Sequence, residues 1–174
     1  MFYALMIDSS GNGYGSHAYA EQPSSLPSGE IVCSQAQAQT PMAYQVVNGQ
    51  IVESLSYAKT IQIALLQSAF QQAEQSPVSI TLASGITASF GMSPHDWTKI
   101  VGLYSKYVAK GISLPSGYQI PDVNGVLQAV TVADIENLFD AGEAQLNGAL
   151  IKLSTLVGQV EACTTVSAAQ AIVF

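Results

Sequence analysis

The chain has 174 residues, enough for one medium domain or two small ones, and long enough to bury a core without disulfides or metals. Charged residues make up only 10%: five Lys, no Arg and twelve acids, for a net charge of −7, where roughly 25% charged is usual. That balance excludes nucleic-acid binders, which need Lys and Arg against phosphates and Arg against guanine edges, and binders of anionic membranes, which need a basic patch. The apolar share of 48% and a mean hydropathy of +0.28 exclude disorder. A surface so poor in charge must be covered by Ser, Gln, Thr, Asn and small apolar residues, and it loses little on desolvation. It is either simply polar and uncharged or made to lie against another protein.

In chain order, Tyr3 to Ile7 reads as a strand, and the Asp8 to Gly15 cluster as a turn, since Gly and Asn tolerate positive φ. Met1 to Ile7 is too short for a signal segment, and no run approaches the 18 apolar residues of a membrane span. Residues 21–29, with Pro23, Pro27 and Gly29, are irregular. Ile31 to Cys33 is a short strand, and Ser34 caps a brief helix that Pro41 halts. Met42 to Glu53 is the clearest hairpin, because Asn48-Gly49 suits the two positive-φ positions of a type I′ turn.

Beyond residue 53 the pattern becomes helical. Ser54 to Gln75 lacks Gly and Pro, with Ile61, Leu65, Ala69 and Ala73 on one face, and Pro77 ends it. Val78 to Leu82 alternates as a strand and turns at Ser84-Gly85 into Ile86 to Phe90. Ser93-Pro94-His95-Asp96 starts a helix with a cap, a proline at its first position and an acid facing the dipole. Its expected buried stripe is Trp97, Ile100, Val101, Tyr104 and Val108, and Gly111 stops it. A second hairpin spans Tyr118 to Val130, turning at Pro121 to Gly125. Thr131, with Asp134 three residues on, caps the longest helix, to about Ala162. Thr164-Thr165 caps a last short helix, Val166 to Ile172. The fold class is therefore α+β: a small β-rich part at 1–53, then 54–174 as helix, two strands, helix, hairpin, long helix and short helix.

Few residues suggest chemistry. Gly11-x-Gly13-x-Gly15 lacks the helix a phosphate loop needs, and the first lysine is Lys59. His95 beside Asp96 reads as a helix-start residue next to a capping acid. Glu136, Asp140 and Glu143 share a helix face that reads as solvated, and the Pro121 to Gly125 loop lacks the oxygen density of a calcium site. Cys33 and Cys163 fit neither a redox pair nor a zinc motif; reduced thiols are the default, with a long-range bridge left open. No catalytic constellation, metal site or cofactor site is expected.

The remaining candidate is the long helix. Ile135, Phe139, Gly142, Leu146, Ala149, Leu153, Leu156 and Val160 alternate steps of four and three, a heptad seam that Leu138, Leu150 and Val157 widen. The stripe packs on the chain's own helices, or zips to a partner helix or to a second copy. The candidate partner contacts are Ile135, Leu138, Phe139, Leu146, Leu150, Leu153 and Val157.

Several features, in order, carry a resemblance. They are the Ala/Gln-rich helix, Val78-Ser79-Ile80-Thr81-Leu82, a strand with Phe90, a helix with Trp97, the Asn124-Gly125 loop, Val130-Thr131-Val132-Ala133-Asp134-Ile135, and the long helix closing through Ala162-Cys163-Thr164-Thr165-Val166. Together these cover about 110 residues. This part resembles the C-terminal domain common in tailed-phage tail proteins, the tail-fibre assembly proteins among them. The first part is similar to the N-terminal region of such proteins through Gly13-Tyr14, Leu26-Pro27-Ser28-Gly29-Glu30-Ile31, Ser34 to Gln39 and the Asn48-Gly49 hairpin. The resemblance implies a partner, a phage tail-fibre protein that assembles as a trimer. It implies either an assembly chaperone in the host cytoplasm or a virion component that stays on the fibre or baseplate. A polysaccharide hydrolase, from another class, would need paired carboxylates about 5–10 Å apart, and nothing in the sequence points to them.

Overall fold

The computed structural model describes residues 1–174. The protein is α+β. Its elements are β1 (Phe2–Ile7), β2 (Gly13–Tyr19), β3 (Glu30–Cys33), α1 (Gln35–Gln39), β4 (Tyr44–Val47), β5 (Gln50–Glu53) and α2 (Leu55–Glu74). There follow β6 (Val78–Thr81), β7 (Thr87–Phe90), α3 (Pro94–Leu103), β8 (Gln119–Pro121), β9 (Leu127–Ala129), α4 (Val132–Ala162) and α5 (Val166–Gln170). The chain forms two compact units, Met1–Leu66 with Leu156–Val173, and Gln67–Thr155 with Phe174. The division falls inside α2 and α4 rather than at residue 53, because residues 156–173 bond to the start of α2. Lys59 donates to the Glu161 carbonyl (2.7 Å) and the Gln62 amide to the Ile172 carbonyl (2.6 Å). No helix is long and apolar enough to cross a membrane.

The first unit holds a three-stranded antiparallel sheet in the order β2-β1-β3, with Ala4 and Leu5 of the central strand fully buried. The strand β2 begins inside the cluster expected as a turn and runs through residues 16–19, to which the sequence assigns no element. Its sequence has no apolar alternation; pairing with β1 holds it, from Phe2 opposite Tyr19 to Met6 opposite Gly15. Gly13 is required there, since a Cβ would strike the Pro41 carbonyl oxygen, and the Met6 thioether would lie 3.2 Å from a Cβ on Gly15. The β4–β5 hairpin turns through Asn48 (φ 53°) and Gly49 (φ 78°) as expected of Asn-Gly, and Ser34 and Gln37 close a capping box on α1. The buried face of α2 in this unit is Ala58, Gln62 and Leu66, one position on from the face expected: Ile61 and Leu65 are 43% and 56% exposed. The bond from Gln62 to Ile172 explains the shift, because it satisfies a polar side chain on the inner face.

The second unit packs α3 and α4 against two hairpins. Val78, Ile80, Ala88 and Phe90 point inward from β6 and β7, while Ser79–Ser89 and Thr81–Thr87 hydroxyl pairs line the outer face. Ser93 caps α3 with Pro94 at its first position. Past Leu103 the helix widens into a π-helical stretch, Tyr104–Ala109, and Gly111 (φ 64°) ends it. The expected stripe is corrected at two positions: Val101, in α3 itself, is 38% exposed, and Tyr107 of the wider stretch takes a core position. Tyr104 stacks on Phe139 (3.9 Å between centroids), Trp97 on the same ring (5.4 Å), and Tyr107 meets Tyr118 (5.8 Å). Gly142 admits the Trp97 indole, which a Cβ would strike.

Asp134 joins these parts. Its carboxylate accepts the Thr131 N–H (2.8 Å) and hydroxyl (2.7 Å), closing the cap of α4, and the Ala83 N–H (2.8 Å) at the β6–β7 turn. Burial by itself pushes this carboxyl up, but the three donated bonds outweigh it and hold it below the ordinary carboxylate value of 3.8. A depressed value means stability fully present above pH 4 and lost as pH falls through the folded value.

Two predictions follow from this packing. Asp134→Ala should lower unfolding free energy by about 3 kcal/mol at pH 7, and chemical melts of variant and parent should converge below pH 3. Gly142→Ala should destabilise by about 1–3 kcal/mol through overpacking against Trp97. Gly148→Ala, where a Cβ meets nothing within 4 Å, should stabilise by up to about 1 kcal/mol through helix propensity; urea melts of the pair separate the two effects.

Candidate functional site

The structure distributes the expected partner contacts unevenly. Ile135 and Leu138 are each 1% exposed and belong to the core of the second unit, so they are packing residues and not contacts for a partner. Phe139, Leu146, Leu153 and Val157 are half-buried, and Leu150 is exposed. Beside it Ile151 is 68% exposed, a position that the heptad register leaves off the stripe.

Another exposed apolar surface lies on the β8–β9 hairpin. Ile120 and Gln128 face inward, so their neighbours Gln119, Pro121, Leu127 and Ala129 face out, and all four are exposed. With Val123 and Val126 at the tip, Leu127 makes an apolar edge with 46%, 55% and 59% of the three side chains exposed in chain order. From Tyr118 to Val130 the only charge is Asp122, and it is turned into the hairpin. Its carboxylate accepts the Asn124 and Val126 N–H groups and the Gln128 amide. Burial pushes the Asp122 carboxyl up, but these bonds outweigh it and keep it ionised below the ordinary carboxylate range. Asp122 and Gly125 (φ 77°) thus close the turn and leave the outer face without charge.

Next to the hairpin is a cleft of about 370 Å³. Phe90, Ile100 and Leu138 form its floor, Gly91 and β8 one pair of rims, and Asp96, Lys99, Gly102 and Leu103 of α3 the wall, with Lys99 3.8 Å from Asp96. A smaller cleft of about 280 Å³ in the first unit lies among Tyr44, Glu53, Tyr57, Ile61, Leu65 and Gln170.

One polar cluster escaped the sequence reading. On the β2-β1-β3 sheet, Glu30 reaches His17 Nδ1 (2.6 Å) and accepts the Tyr19 hydroxyl (2.6 Å). The Glu30 side chain is 5% exposed and that of His17 is 51%. The Tyr19 hydroxyl, then His17, hold the Glu30 carboxyl below its ordinary 4.5, and the same bond raises the Tyr19 phenol above 10. The signal was thin, because two of the three residues lie in the unforeseen strand. Glu30 orients the imidazole, but that bond is the only side-chain bond His17 makes, so the pair activates no hydroxyl or thiol of this chain. His95 is exposed. No three His, Cys, Asp or Glu side chains converge on a metal-sized site, Glu136, Asp140 and Glu143 included. Cys33 and Cys163 are free thiols, and burial pushes that of Cys33 up.

No protein-family model, curated protein or solved structure matches the chain.

The Glu30 cluster makes a pH prediction. A lowered acid contributes stability above pH 4.5 that is lost as pH falls through its folded value, and a raised phenol contributes stability below pH 10 that is lost as pH rises beyond it. Tyr19→Phe should therefore melt below the parent between pH 5 and 9, and the gap should narrow at both extremes; thermal melts across pH check this.

Proposed function

We propose that the protein is a bacteriophage tail protein that binds the tail fibre, acting as a fibre assembly chaperone in the host cytoplasm. The observation that carries the reading is the uncharged apolar face of the β8–β9 hairpin, where Val123, Val126 and Leu127 stand exposed while Asp122 is spent inside the turn. A contiguous apolar face rimmed by polar residues marks a polypeptide contact. The Asn124-Gly125 hairpin is also among the features that resemble the tail-protein domain. On this reading the hairpin face covers apolar fibre surface until the fibre trimer closes over it. The second reading, a component retained on the fibre or baseplate, draws on the charge content of 10%, since permanent interfaces are the less polar ones.

Co-expression of the fibre with this chain should raise the yield of folded trimer. Val126→Asp with Leu127→Asp should abolish that gain while leaving the chain's own melt within a few degrees of the parent, because both residues are more than half exposed. Equal trimer yield with and without the chain would refute the chaperone reading. Mass spectrometry of purified particles then separates release from stoichiometric retention.

A further inference from the structure

The smaller cleft, of about 280 Å³, belongs wholly to the first unit and is polar at one end and apolar along the other. At the polar end the β4–β5 hairpin sets Tyr44 directly across from Glu53. The Ser54 N–H donates to the Ala43 carbonyl (2.8 Å) and fastens that pair to the start of α2. From there Tyr57, Ile61 and Leu65 recur every four residues, a ridge of about 12 Å at the helical rise of 1.5 Å per residue. Ile61 and Leu65 are 43% and 56% exposed, and Val166 of α5 lines the cleft with them. Gln62 beneath is buried and already committed to the Ile172 carbonyl. Glu53 is the only charged residue that lines the cleft, and no lysine pairs with it. The unit has five side-chain carboxylates, at Asp8, Glu21, Glu30, Glu53 and Glu161, against one lysine, Lys59. That lysine is held by the Glu161 main-chain carbonyl (2.7 Å). Asp8 and Glu30 are satisfied by their own donors, but the unit has no free cation to offer Glu53.

We propose that this cleft binds a primary alkylammonium, with the ammonium at Glu53 and the alkyl chain along Ile61 and Leu65. The sign of the head follows from the lining: an anionic head would meet Glu53 with no cation to offset it, whereas a cation gains the carboxylate. The Tyr44 and Tyr57 rings add the attraction of an aromatic face for positive charge. The tail follows from the ridge, which leaves two large aliphatic side chains in water until a chain covers them. A ridge of about 12 Å outruns the four-carbon stem of a lysine, so the occupant is a free amine of longer chain and not a lysine of a protein partner. The site lies in the unit that does not carry the β8–β9 face, and the inference stands independently of the fibre-binding reading.

The probe is octylammonium, titrated into the whole isotope-labelled chain. The Tyr57 and Leu65 amide resonances should shift with saturation. Octanoate, of equal length and opposite charge, should bind about tenfold more weakly or worse. Butylammonium should also lose about tenfold or more, because its shorter chain leaves the ridge in water. Glu53→Gln removes the charge from an exposed side chain, so the variant should melt with the parent and bind octylammonium about tenfold more weakly. Leu65→Ser tests the apolar end in the same way: the residue is more than half exposed, so the fold should persist while affinity falls about tenfold. An absent or unsaturable titration, equal affinity for octanoate, or binding undiminished in either folded variant would overturn the proposal. So would a doubly blocked lysine that binds as tightly as octylammonium, because the occupant would then be a side chain of another polypeptide.

Discussion

A buried carboxylate with three donors sets the geometry of the second unit. Asp134 sits where the end of β9, the start of α4 and the turn of β6–β7 come together, and it is 3% exposed. An ionised carboxylate at such a depth is tolerated only when hydrogen-bonded. Its partners are two groups of Thr131 and one main-chain N–H of Ala83, so the condition for its burial is also the condition for the two hairpins to lie where they do. The floor of the cleft, Phe90 and Leu138, belongs to the elements that this bond network holds.

Around that fixed point the packing depends on flat contacts. The Trp97, Tyr104 and Phe139 rings stack, and Gly142 leaves room for the indole. Tyr104 and Tyr107, three residues apart and so on one side of the helix, both turn inward, onto Phe139 and Tyr118. Lys106 and Lys110, beside the buried Tyr107, stay exposed.

Charge poverty has different effects on the two units. In the first, a Glu30 carboxylate with 5% side-chain exposure is accommodated by a phenol and an imidazole, with no lysine involved. In the second, the hairpin hides its one carboxylate in its turn and presents valine and leucine to water. Only one lysine–carboxylate pair, Lys99 with Asp96 at 3.8 Å, occurs in the whole molecule. Association surfaces on such a protein are therefore specified by shape and by apolar contact more than by charge.

Local chemistry alone determined much of this. Asn48-Gly49, Ser34, Ser93-Pro94, Thr131 with Asp134, Gly111 and the Asn124-Gly125 turn each act within a few residues, so their caps and turns were legible before any tertiary contact was known. The α+β class followed from them together with the hydrophobic periodicity. Tertiary structure alone decided the rest. The strand β2 exists through its register with β1, and its glycines answer to Pro41 and Met6, far away in sequence. The inner face of α2 is set by the Ile172 carbonyl, and whether Leu138 or Leu150 of one apolar stripe reaches water is set by what packs on each. The candidate site belongs to this second group, because the edges that bound it come from hairpins whose approach no local pattern encodes. Periodicity marks which residues avoid water, but only the folded chain determines which of them are already covered.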